Sequence, residues 1–429
     1  MWRNWAGNQS MSPVAVEQPA STDEVCRLVT RAGADGRRVK AIGSGHSFTA
    51  IGLTDGVLLD LSRMARLLSV DRAACQVTVQ AGMVLRRLNA LLAGLGLGLT
   101  NMGDVDAQTV AGALSTGTHG TGRDSAALAT QVVGLELVLA DGSVLTCSAD
   151  EHPDVFAVAR VGLGALGIVT AVTLQVEPAF LLAADERPLP LDDVLRDLDH
   201  HVAQNEHFEA YWFPHTEVAL TKRNNRTAGP AAPVPRLRAL LEDEVLSNGL
   251  FGATCRLGRA VPSAIPRINR LVAGAASART YSDAAPAVFT STRRVRFCEM
   301  EHAVPRAELP AVMAELRTLP ERLGQRISFP VEVRFAPADD VALSTASGRD
   351  SAYVAVHVFR GTDSRPYFDA VQALMGAVGG RPHWGKLHTL GAGQLRERYP
   401  RFEEFLAVRD RLDPQRRFTN PYLDQVLGP

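Results

Sequence analysis

The 429-residue chain is poor in cysteine, and its cysteines lack the spacings that cysteine chemistry uses. The five cysteines are odd in number and scattered, without a C-x-x-C pair, which argues against a disulfide framework and a zinc site. The chain also lacks an apolar run of the roughly 20 residues that a membrane span needs, and its beginning lacks the apolar core of a signal peptide. We therefore expect a cytoplasmic protein without a transmembrane segment, a prediction that leaves peripheral membrane contact open.

An excess of charge of either sign is missing as well. The 45 Lys and Arg residues nearly balance the 46 Asp and Glu residues, for a net charge of −1. Nucleic acids and anionic membranes are bound largely through positive charge, so neither is predicted as a partner. A small uncharged substrate fits better, and 46% hydrophobic residues can supply cores for two domains.

Two familiar nucleotide-binding motifs are absent. A G-x-G-x-x-G fingerprint would need glycine at position 48, where Phe48 stands, and no glycine loop is followed by a Walker A lysine. A Rossmann or P-loop protein is therefore a poor match.

Two turns rich in Gly, Ser and Thr are present instead. Residues 43–48 (GSGHSF) follow a strand-like stretch at 38–42, and residues 115–122 (STGTHGTG) repeat the composition. Glycines let successive backbone N–H groups turn toward an anion, and hydroxyls add donors. Together the turns predict a cradle for a diphosphate. The residue-level alternative is a pair of tight turns in which His46 is an ordinary loop residue.

Six segments resemble, in order, the vanillyl-alcohol-oxidase-type (PCMH-type) FAD flavoproteins. The last three resemble one branch of that family, the sugar-1,4-lactone oxidases (L-gulono-1,4-lactone or D-arabinono-1,4-lactone oxidase-like) and the alditol oxidases. The segments are residues 43–48, 101–122, 163–170, 330–335, 381–386 and 418–420.

The resemblance implies an α+β, two-domain flavoprotein. A PCMH-type FAD-binding domain would occupy residues 1–178, a mixed sheet-plus-helices substrate (cap) domain residues 179–400, and a C-terminal segment, 401–429, would return to the FAD domain. The substrate would lie between the cap sheet and the flavin, at a domain interface.

Local patterns predict individual elements. Ser21 and Glu24 form a capping box that opens a helix closing near Gly33. Pro188 and Pro190 predict a linker, and residues 224–230 an exposed loop. Further predictions are strands at 38–42, 57–61, 76–81 and 168–176, a helix from about 83 to 95, and a hairpin from 131 to 147 that turns at Asp141 and Gly142.

His46 matches the position at which the family bonds FAD covalently, so the resemblance implies covalent FAD here. Gly103 falls where a loop would cross the reactive face of the flavin, and its missing side chain favours access of dioxygen, hence an oxidase. The other cofactor-binding residues that the resemblance implies are Ile42, Gly43, Ser44, Gly45, Ser47, Asp104, Gly112, Ser115, Gly117, Thr118, His119, Gly120, Gly167, Ile168, Val169 and Asn420.

Three residues are predicted to be catalytic. Glu332 and Arg334 are two apart on a predicted strand, so both project to one face and can hold a polyhydroxylated substrate; the alternative is a surface ion pair. The resemblance implies that Lys386 contacts the reacting hydroxyl. An aromatic residue and two histidines close to Lys386 in sequence predict a pKa lowered toward that of a general base.

Asp104 and His357 are also predicted to bind substrate, and both depart from the alditol oxidases, where serine and threonine are expected. A carboxylate only accepts hydrogen bonds, whereas a hydroxyl also donates. This difference favours sugar-1,4-lactones over linear alditols as substrates. His383 and His388 find no third ligand at a suitable spacing, so no metal is predicted.

The resemblance thus implies oxidation of a CH–OH group of a sugar-1,4-lactone or polyol by hydride transfer to FAD, with reoxidation by O₂ giving H₂O₂. Alternatives are an alditol oxidase and an aldonolactone dehydrogenase that uses another electron acceptor. Less favoured are a flavin reductase fed by NADPH and a non-catalytic protein that binds flavin or sugar.

Overall fold

The computed structural model describes residues 1–125, 127–235, 237–238 and 248–429. Two groups of strands form sheets in the first part of the chain. A parallel sheet has the spatial order Ala15–Glu17, Val57–Asp60, Val39–Ile42, and an antiparallel sheet has the order Val144–Ser148, Val132–Val138, Ile168–Gln175, Gln76–Gln80, Leu67–Asp71. Short pairs join Trp2–Arg3 to Ser10–Met11 and Leu97–Gly98 to Glu177–Pro178. Helices in this part are Thr22–Ala34, Leu85–Gly94, Val110–Ser115 and Pro153–Ala159.

A large antiparallel sheet follows in the chain. Its eight strands have the spatial order Arg279–Ala284, Leu181–Pro190, Val218–Thr227, His207–Trp212, Val331–Ala336, Ser351–Phe359, Phe297–Pro305, Arg381–Pro382. One face packs its Val, Met and Phe side chains against helices Leu309–Arg322 and Arg365–Ala377. The other face carries charged and histidine side chains, because residues two apart on a strand share a face.

The remaining helices flank this sheet or follow it. They are Leu191–Arg196, Leu198–Gln204, Phe251–Ala260, Ile265–Ala275, Ala285–Phe289, Ala392–Arg396, Phe402–Leu412 and Pro421–Leu427, with short 3₁₀ turns at Leu61–Arg63, Leu128–Gln131, Pro262–Ala264 and Arg306–Glu308. Within the described parts of the chain, none of the helices combines the length and the apolarity that crossing a bilayer requires.

The C-terminal residues pack into the core of the first part of the chain. Phe405 and Leu423 lie in one apolar cluster with Val77 and Leu88. Trp384 belongs to the same cluster, so the return begins before residue 401.

Most of the predicted elements of the first part are confirmed within two residues. The predicted N-cap is confirmed, since Ser21 Oγ accepts from Glu24 N, whereas Glu24 Oε2 accepts from Ala20 N, one residue before the N-cap, and so does not complete the capping box. The predicted hairpin forms and turns at Gly142, which has a positive φ of 86°.

Two loop predictions are wrong. Pro188 and Pro190 belong to the strand Leu181–Pro190, which pairs with a second neighbour only up to residue 186. Beyond residue 186 the strand has no neighbour on that side. The missing N–H of a proline there therefore costs no hydrogen bond between strands. Of the predicted loop at 224–230, residues 224–227 continue the strand Val218–Thr227, because they pair with residues 181–184.

Candidate active site

A cavity, called here the cofactor cavity, lies among the loops that follow the first strands. Its wall consists mainly of glycine, small hydroxyl and aliphatic residues; within the described chain, Lys40 is its single Lys, Arg, Asp or Glu. The predicted cofactor residues that line it are Ile42, Gly43, Ser44, Gly45, His46, Ser47, Gly112, Ser115, Gly167, Ile168 and Val169.

The glycines of the first cradle are required by close neighbours. A Cβ at Gly43 would lie 2.2 Å from Thr109 Oγ1, which caps helix Val110–Ser115 by accepting from Gly112 N. Gly45 has a positive φ of 69°, and a Cβ there would lie 2.6 Å from the ring of Trp2. Positions 43 and 45 therefore have no side chain at this wall, and their backbone N–H groups are the kind that bind a diphosphate.

The N-terminal residues hold this cradle in place. Trp5 N donates to Gly45 O at 2.8 Å, and Asn4 Nδ2 donates to Ser47 O at 2.9 Å. The Trp5 ring stacks on His46 with centroids 5.8 Å apart. Sequence reasoning missed this clamp, because no local pattern links residues 4–5 to residues 45–47.

Three of the predicted cofactor residues line neither of the two cavities of the site. Asn420 donates to the carbonyl oxygens of Ala50, Ile51 and Leu53, so it holds a loop whose residues 51–53 line the cofactor cavity. The other two are Gly117, which has a positive φ of 74°, and Gly120, where a Cβ would lie 2.4 Å from Met102 O.

Lys40 is an unexpected charge in the cofactor cavity. Its Nζ donates to Gly164 O and Phe418 O, both at 3.0 Å. Burial lowers the pKa of Lys40 to about 7, although Asp413 opposes the shift. Lys40 therefore ties the C-terminal segment to the glycine turn at Gly164.

A second cavity opens beside the first and is called here the substrate cavity. The two share His46, Ser47, Gln108 and Thr116. The charged face of the large sheet forms one wall, and the segments around residues 104 and 118 form the other. Lining it are five carboxylates (Asp104, Asp106, Glu299, Glu301, Glu332) and four Arg or Lys side chains (Arg86, Arg293, Arg334, Lys386).

Asp104, Arg293, Glu332 and Arg334 form a closed ring of alternating charges. Arg334 Nη2 is 2.5 Å from Glu332 Oε1 and 3.5 Å from Asp104 Oδ1. Arg293 Nη2 contacts Asp104 Oδ2 closely and lies 3.4 Å from Glu332 Oε2. Glu332 and Arg334 are both buried, so the surface ion pair considered from sequence is excluded.

The ring favours the charged forms of Asp104, Arg293 and Arg334. Burial opposes the charge of Asp104, but Arg293 and Arg334 outweigh it and hold the pKa of Asp104 well below its usual range. The pKa of Arg334 is raised despite burial, because Glu332 and Asp104 lie beside it. Its Nε also donates to Glu209 at 2.9 Å.

The expectation that neighbours lower the pKa of Lys386 is wrong. Burial lowers it, but Glu299 and Glu301 outweigh burial, so the pKa of Lys386 is raised. Nζ lies 2.5 Å from Glu299 Oε2 and 5.2 Å from the centroid of Phe48. The sequence neighbours Trp384 and His388 bond elsewhere, to Leu343 O and to Tyr422 Oη. Lys386 is therefore an ammonium donor.

Glu301 forms a second buried cluster with two histidines. His119 Nε2 lies 3.1 Å from Glu301 Oε1, while His119 Nδ1 donates to Gly120 O at 2.8 Å. Burial opposes the charge of Glu301, but His119 outweighs it and lowers the pKa of Glu301.

His119, Glu301 and His383 bring potential metal ligands within 4.8 Å of one another, which the sequence did not foresee. His383 Nδ1 accepts from Gly385 N at 3.0 Å. Burial lowers the pKa of His383 to about 3, so the neutral ring carries its proton on Nε2 and has no lone pair left for a metal. The trio therefore does not fit a metal, and the absence of a metal stays a prediction.

His357, predicted to bind substrate, lies behind the cavity wall. Its Nε2 is 3.4 Å from Glu299 Oε1, and its Nδ1 donates to Pro330 O at 3.1 Å. It is not among the residues that line the substrate cavity. The position therefore suits a residue that supports Glu299.

Sequence reasoning missed Arg293, Glu299 and Glu301. A signal existed for the two glutamates, because they alternate with apolar residues in the strand Phe297–Pro305 as Glu332 and Arg334 do in theirs. Arg293 lies in an irregular segment, where no periodicity marks it.

Two family models match the chain. One, described as FAD binding domain, covers residues 13–148, and the other, D-arabinono-1,4-lactone oxidase, covers residues 172–426. The chain is 44% identical over 429 residues to an L-gulono-1,4-lactone dehydrogenase of Mycobacterium tuberculosis, covering 100% of this chain and 99% of that protein. It is 35% identical over 434 residues to the L-gulonolactone oxidase of Mus musculus, covering 99% and 98%. A crystal structure of cholesterol oxidase from B. sterolicum superimposes with a TM-score of 0.81 at 18% identity, covering 100% of this chain and 96% of that one, which shows a shared fold.

The fold and the glycine cradle define a flavoprotein with a PCMH-type FAD-binding domain, and the cofactor cavity fits FAD because its wall presents glycine backbone and small hydroxyl side chains. The protein is thus an FAD-dependent oxidoreductase. Within that class, the chain belongs to the D-arabinono-1,4-lactone oxidase family. The predicted family and fold class are confirmed.

Proposed function

We propose that the protein oxidises a CH–OH group of a sugar-1,4-lactone. The observation that carries this proposal is the substrate cavity, in which nearly balanced donors and acceptors open onto the cofactor cavity. A hydroxyl both donates to a carboxylate and accepts from a cation, so such a wall suits an uncharged ligand with many hydroxyls. The lactone-oxidising relatives support the same substrate class.

The division of the chain into two domains supports the proposal. We infer a FAD-binding domain at residues 1–178 and a substrate domain that follows it, with the C-terminal return to the FAD-binding domain beginning by Trp384 and not at residue 401. The apolar core shared by both ends of the chain favours this division.

The roles of the polar residues follow from their charges. FAD, when bound, supplies a two-electron acceptor for hydride. Lys386 donates to the reacting oxygen and stabilises the negative charge that develops there. Glu299, ionised and in contact with Lys386, takes the hydroxyl proton, while Glu332 and Arg334 hold neighbouring hydroxyls.

Anaerobic mixing separates the candidate functions. A sugar-1,4-lactone, the matching alditol and NADPH are each mixed with the purified protein, and flavin bleaching is followed by stopped flow. We expect the lactone to reduce the flavin fastest. Reduction by the alditol alone would indicate an alditol oxidase, reduction by NADPH a flavin reductase, and no reduction a binding protein.

We also propose that His46 bonds FAD covalently. His46 lines both cavities, and burial, helped by the charge of Lys386, lowers its pKa, so the ring is neutral and offers a nucleophilic lone pair. One imidazole nitrogen would replace a hydrogen at the dimethylbenzene edge, and the two electrons released would pass to O₂ or another acceptor. Acid precipitation should leave yellow colour in the pellet, whereas His46→Ala should release it. The exposed His200→Ala serves as the control. Release from the unaltered protein would contradict covalent attachment.

Dioxygen is the proposed electron acceptor, and a substitution at Gly103 tests this proposal. A Cβ there would lie 3.0 Å from His119 O and 3.1 Å from Thr118 Cγ2, so it would crowd residues 118–119, which line the substrate cavity together with Gly103. Gly103→Ala should slow reoxidation by O₂ more than reduction by substrate. Slow reoxidation in the unaltered protein, with fast reduction of an artificial dye, would favour a dehydrogenase that uses another acceptor.

A further inference from the structure

His383 lines the substrate cavity, and the proposed mechanism gives it no role. Its ring is almost fully enclosed, with the residue 5% exposed. It opens the turn of residues 383–386, in which Lys386 N donates to His383 O at 2.9 Å, and His383 N donates to Glu301 O at 3.0 Å. The backbone on both sides of the turn therefore fixes the position of the imidazole ring.

One hydrogen bond sets the protonation of this ring. Gly385 N donates to His383 Nδ1 at 3.0 Å. A backbone N–H can only donate, so Nδ1 keeps its lone pair and the neutral ring carries its proton on Nε2. Burial lowers the pKa of His383 to about 3, so the ring stays neutral at physiological pH. His383 is thus a hydrogen-bond donor without a charge, in contrast to Lys386.

The Nε2–H group of His383 is not used within the protein. Among the described residues it has no hydrogen-bond partner, yet it is not sealed in the interior as the unpartnered ring nitrogens of His302 are. Because His383 lines the substrate cavity, this N–H opens into that cavity. A ligand that fills the cavity has to offer an acceptor, since a donor stripped of water without a new partner weakens binding.

Glu301 supplies the matching acceptor. One of its oxygens, Oε1, lies 3.1 Å from His119 Nε2, and His119 lowers the pKa of Glu301, so the carboxylate accepts hydrogen bonds and does not donate. His119, Glu301 and His383 each place one nitrogen or oxygen atom within 4.8 Å of the others. In the described structure, however, no direct hydrogen bond joins His383 to Glu301. A hydroxyl between them satisfies both, because it accepts from an N–H and donates to a carboxylate.

We infer that His383 and Glu301 form a hydroxyl-binding subsite, in which one substrate hydroxyl that is not oxidised accepts from His383 Nε2–H and donates to Glu301. This inference rests on the proposed function, which places the reacting hydroxyl at Lys386 and Glu299. The subsite rejects a deoxy carbon, which offers neither an acceptor nor a donor, and an anionic group, which Glu301 repels.

Two variants of His383 separate substrate binding from support of the turn. In His383→Asn the shorter side chain puts a carbonyl oxygen near the place of Nδ1, so Gly385 N keeps an acceptor while the donor at Nε2 is lost. In His383→Gln the longer side chain puts an amide N–H near the place of Nε2, so the donor is kept while Gly385 N loses its partner. The exposed His200→Asn is the control.

The rate of anaerobic flavin reduction is measured against the concentration of a sugar-1,4-lactone, and saturation gives the apparent Kd. We expect His383→Asn to raise the Kd by about tenfold, the scale of a buried polar group left without its partner, and His383→Gln by less than about threefold. His200→Asn should leave the Kd unchanged. An equal or larger loss in His383→Gln would assign the ring to the turn alone, and an unchanged Kd in His383→Asn would show that the N–H is idle; either result overturns the inference.

Lactones that each lack one hydroxyl test the same contact from the side of the ligand. One analogue that can still be oxidised should bind about tenfold more weakly than its parent to the unaltered protein. In His383→Asn the same analogue should lose less than about threefold against its parent, because one partner of the missing hydroxyl is already gone. The inference fails if every analogue loses as much affinity in the variant as in the unaltered protein.

A further variant covers the case in which His383→Asn loses its flavin. Nε2-methylhistidine at position 383 keeps the ring and the acceptor Nδ1 but removes the N–H, and the same loss of affinity is expected. If no lactone reduces the flavin of the unaltered protein, the proposed function and this inference both fail. A lactone-active protein in which removal of the N–H leaves the Kd unchanged contradicts the inference alone.

Discussion

The cofactor cavity is walled by backbone, glycine and small side chains, whereas the substrate cavity beside it is walled by charged groups. The first gains its shape from turns in which a Cβ would collide, as at Gly43. The second gains its shape from ion pairs among residues far apart in the chain, such as Asp104 and Arg293. A site for a constant cofactor can thus be encoded in local segments, while a site for a particular substrate depends on how the elements meet.

The largest expected effect falls on the charged cavity. Glu299→Gln removes the proposed proton acceptor and should lower the rate of anaerobic flavin reduction by roughly 10² to 10⁴, the range of general-base loss. FAD content should stay the same, because Glu299 does not line the cofactor cavity. The exposed Glu308→Gln is the control. An unchanged rate in Glu299→Gln would assign the proton to another group.

The same variant carries a pH prediction with a definite sign. Glu299 is the main charge that raises the pKa of Lys386. Activity that needs the ammonium form is lost as pH rises through that pKa. In Glu299→Gln the pKa of Lys386 falls, so the residual reduction rate should decline at a lower pH than in the unaltered protein. If the fall of the reduction rate at high pH occurs at the same pH in both proteins, the role given to Lys386 is contradicted.

Lys386→Met keeps the length of the side chain and removes its charge. We expect reduction by substrate to fall by roughly 10²-fold or more, the scale at which a preorganised donor contributes to catalysis. The flavin-to-protein absorbance ratio should not change. A variant that reduces its flavin at the original rate would move the chemistry to other residues, with Asp104 and Glu301, which also line the substrate cavity, as the next candidates.

The smallest expected effect falls on the backbone-walled cavity. Gly43→Ala places a methyl group 2.2 Å from Thr109 Oγ1, which cannot move without uncapping a helix. Overpacking of this kind weakens FAD binding by roughly tenfold. The affinity is measured in a His46→Ala background, where attachment cannot mask it. Gly94→Ala, whose Cβ meets nothing within 4 Å, is the control. Full affinity in Gly43→Ala would mean that this wall tolerates side chains.

The substrate-binding half of the site was only partly predictable. Glu332 and Arg334 were predictable because alternation along a strand puts both on one face. The pKa of Lys386 was mispredicted, since Glu299 lies 87 residues away in the chain and comes close only because the segment 381–387 runs along the strand Phe297–Pro305, where Leu387 N donates to Glu299 O. Arg293 lies in a segment with no period and was not found at all.

The sequence by itself determined the family, the two glycine turns and most strands and helices of the first part of the chain, because these depend on contiguous residues: backbone freedom at Gly45, a cap at Ser21, alternation at 331–335. The tertiary structure decided which buried side chains carry a charge. It brought Arg293 to Asp104 and Glu299 to Lys386, buried them together, and so fixed which groups are ionised. The physical reason is that a pKa depends on burial and on charges within a few ångströms, and neither is a property of neighbouring positions in a sequence.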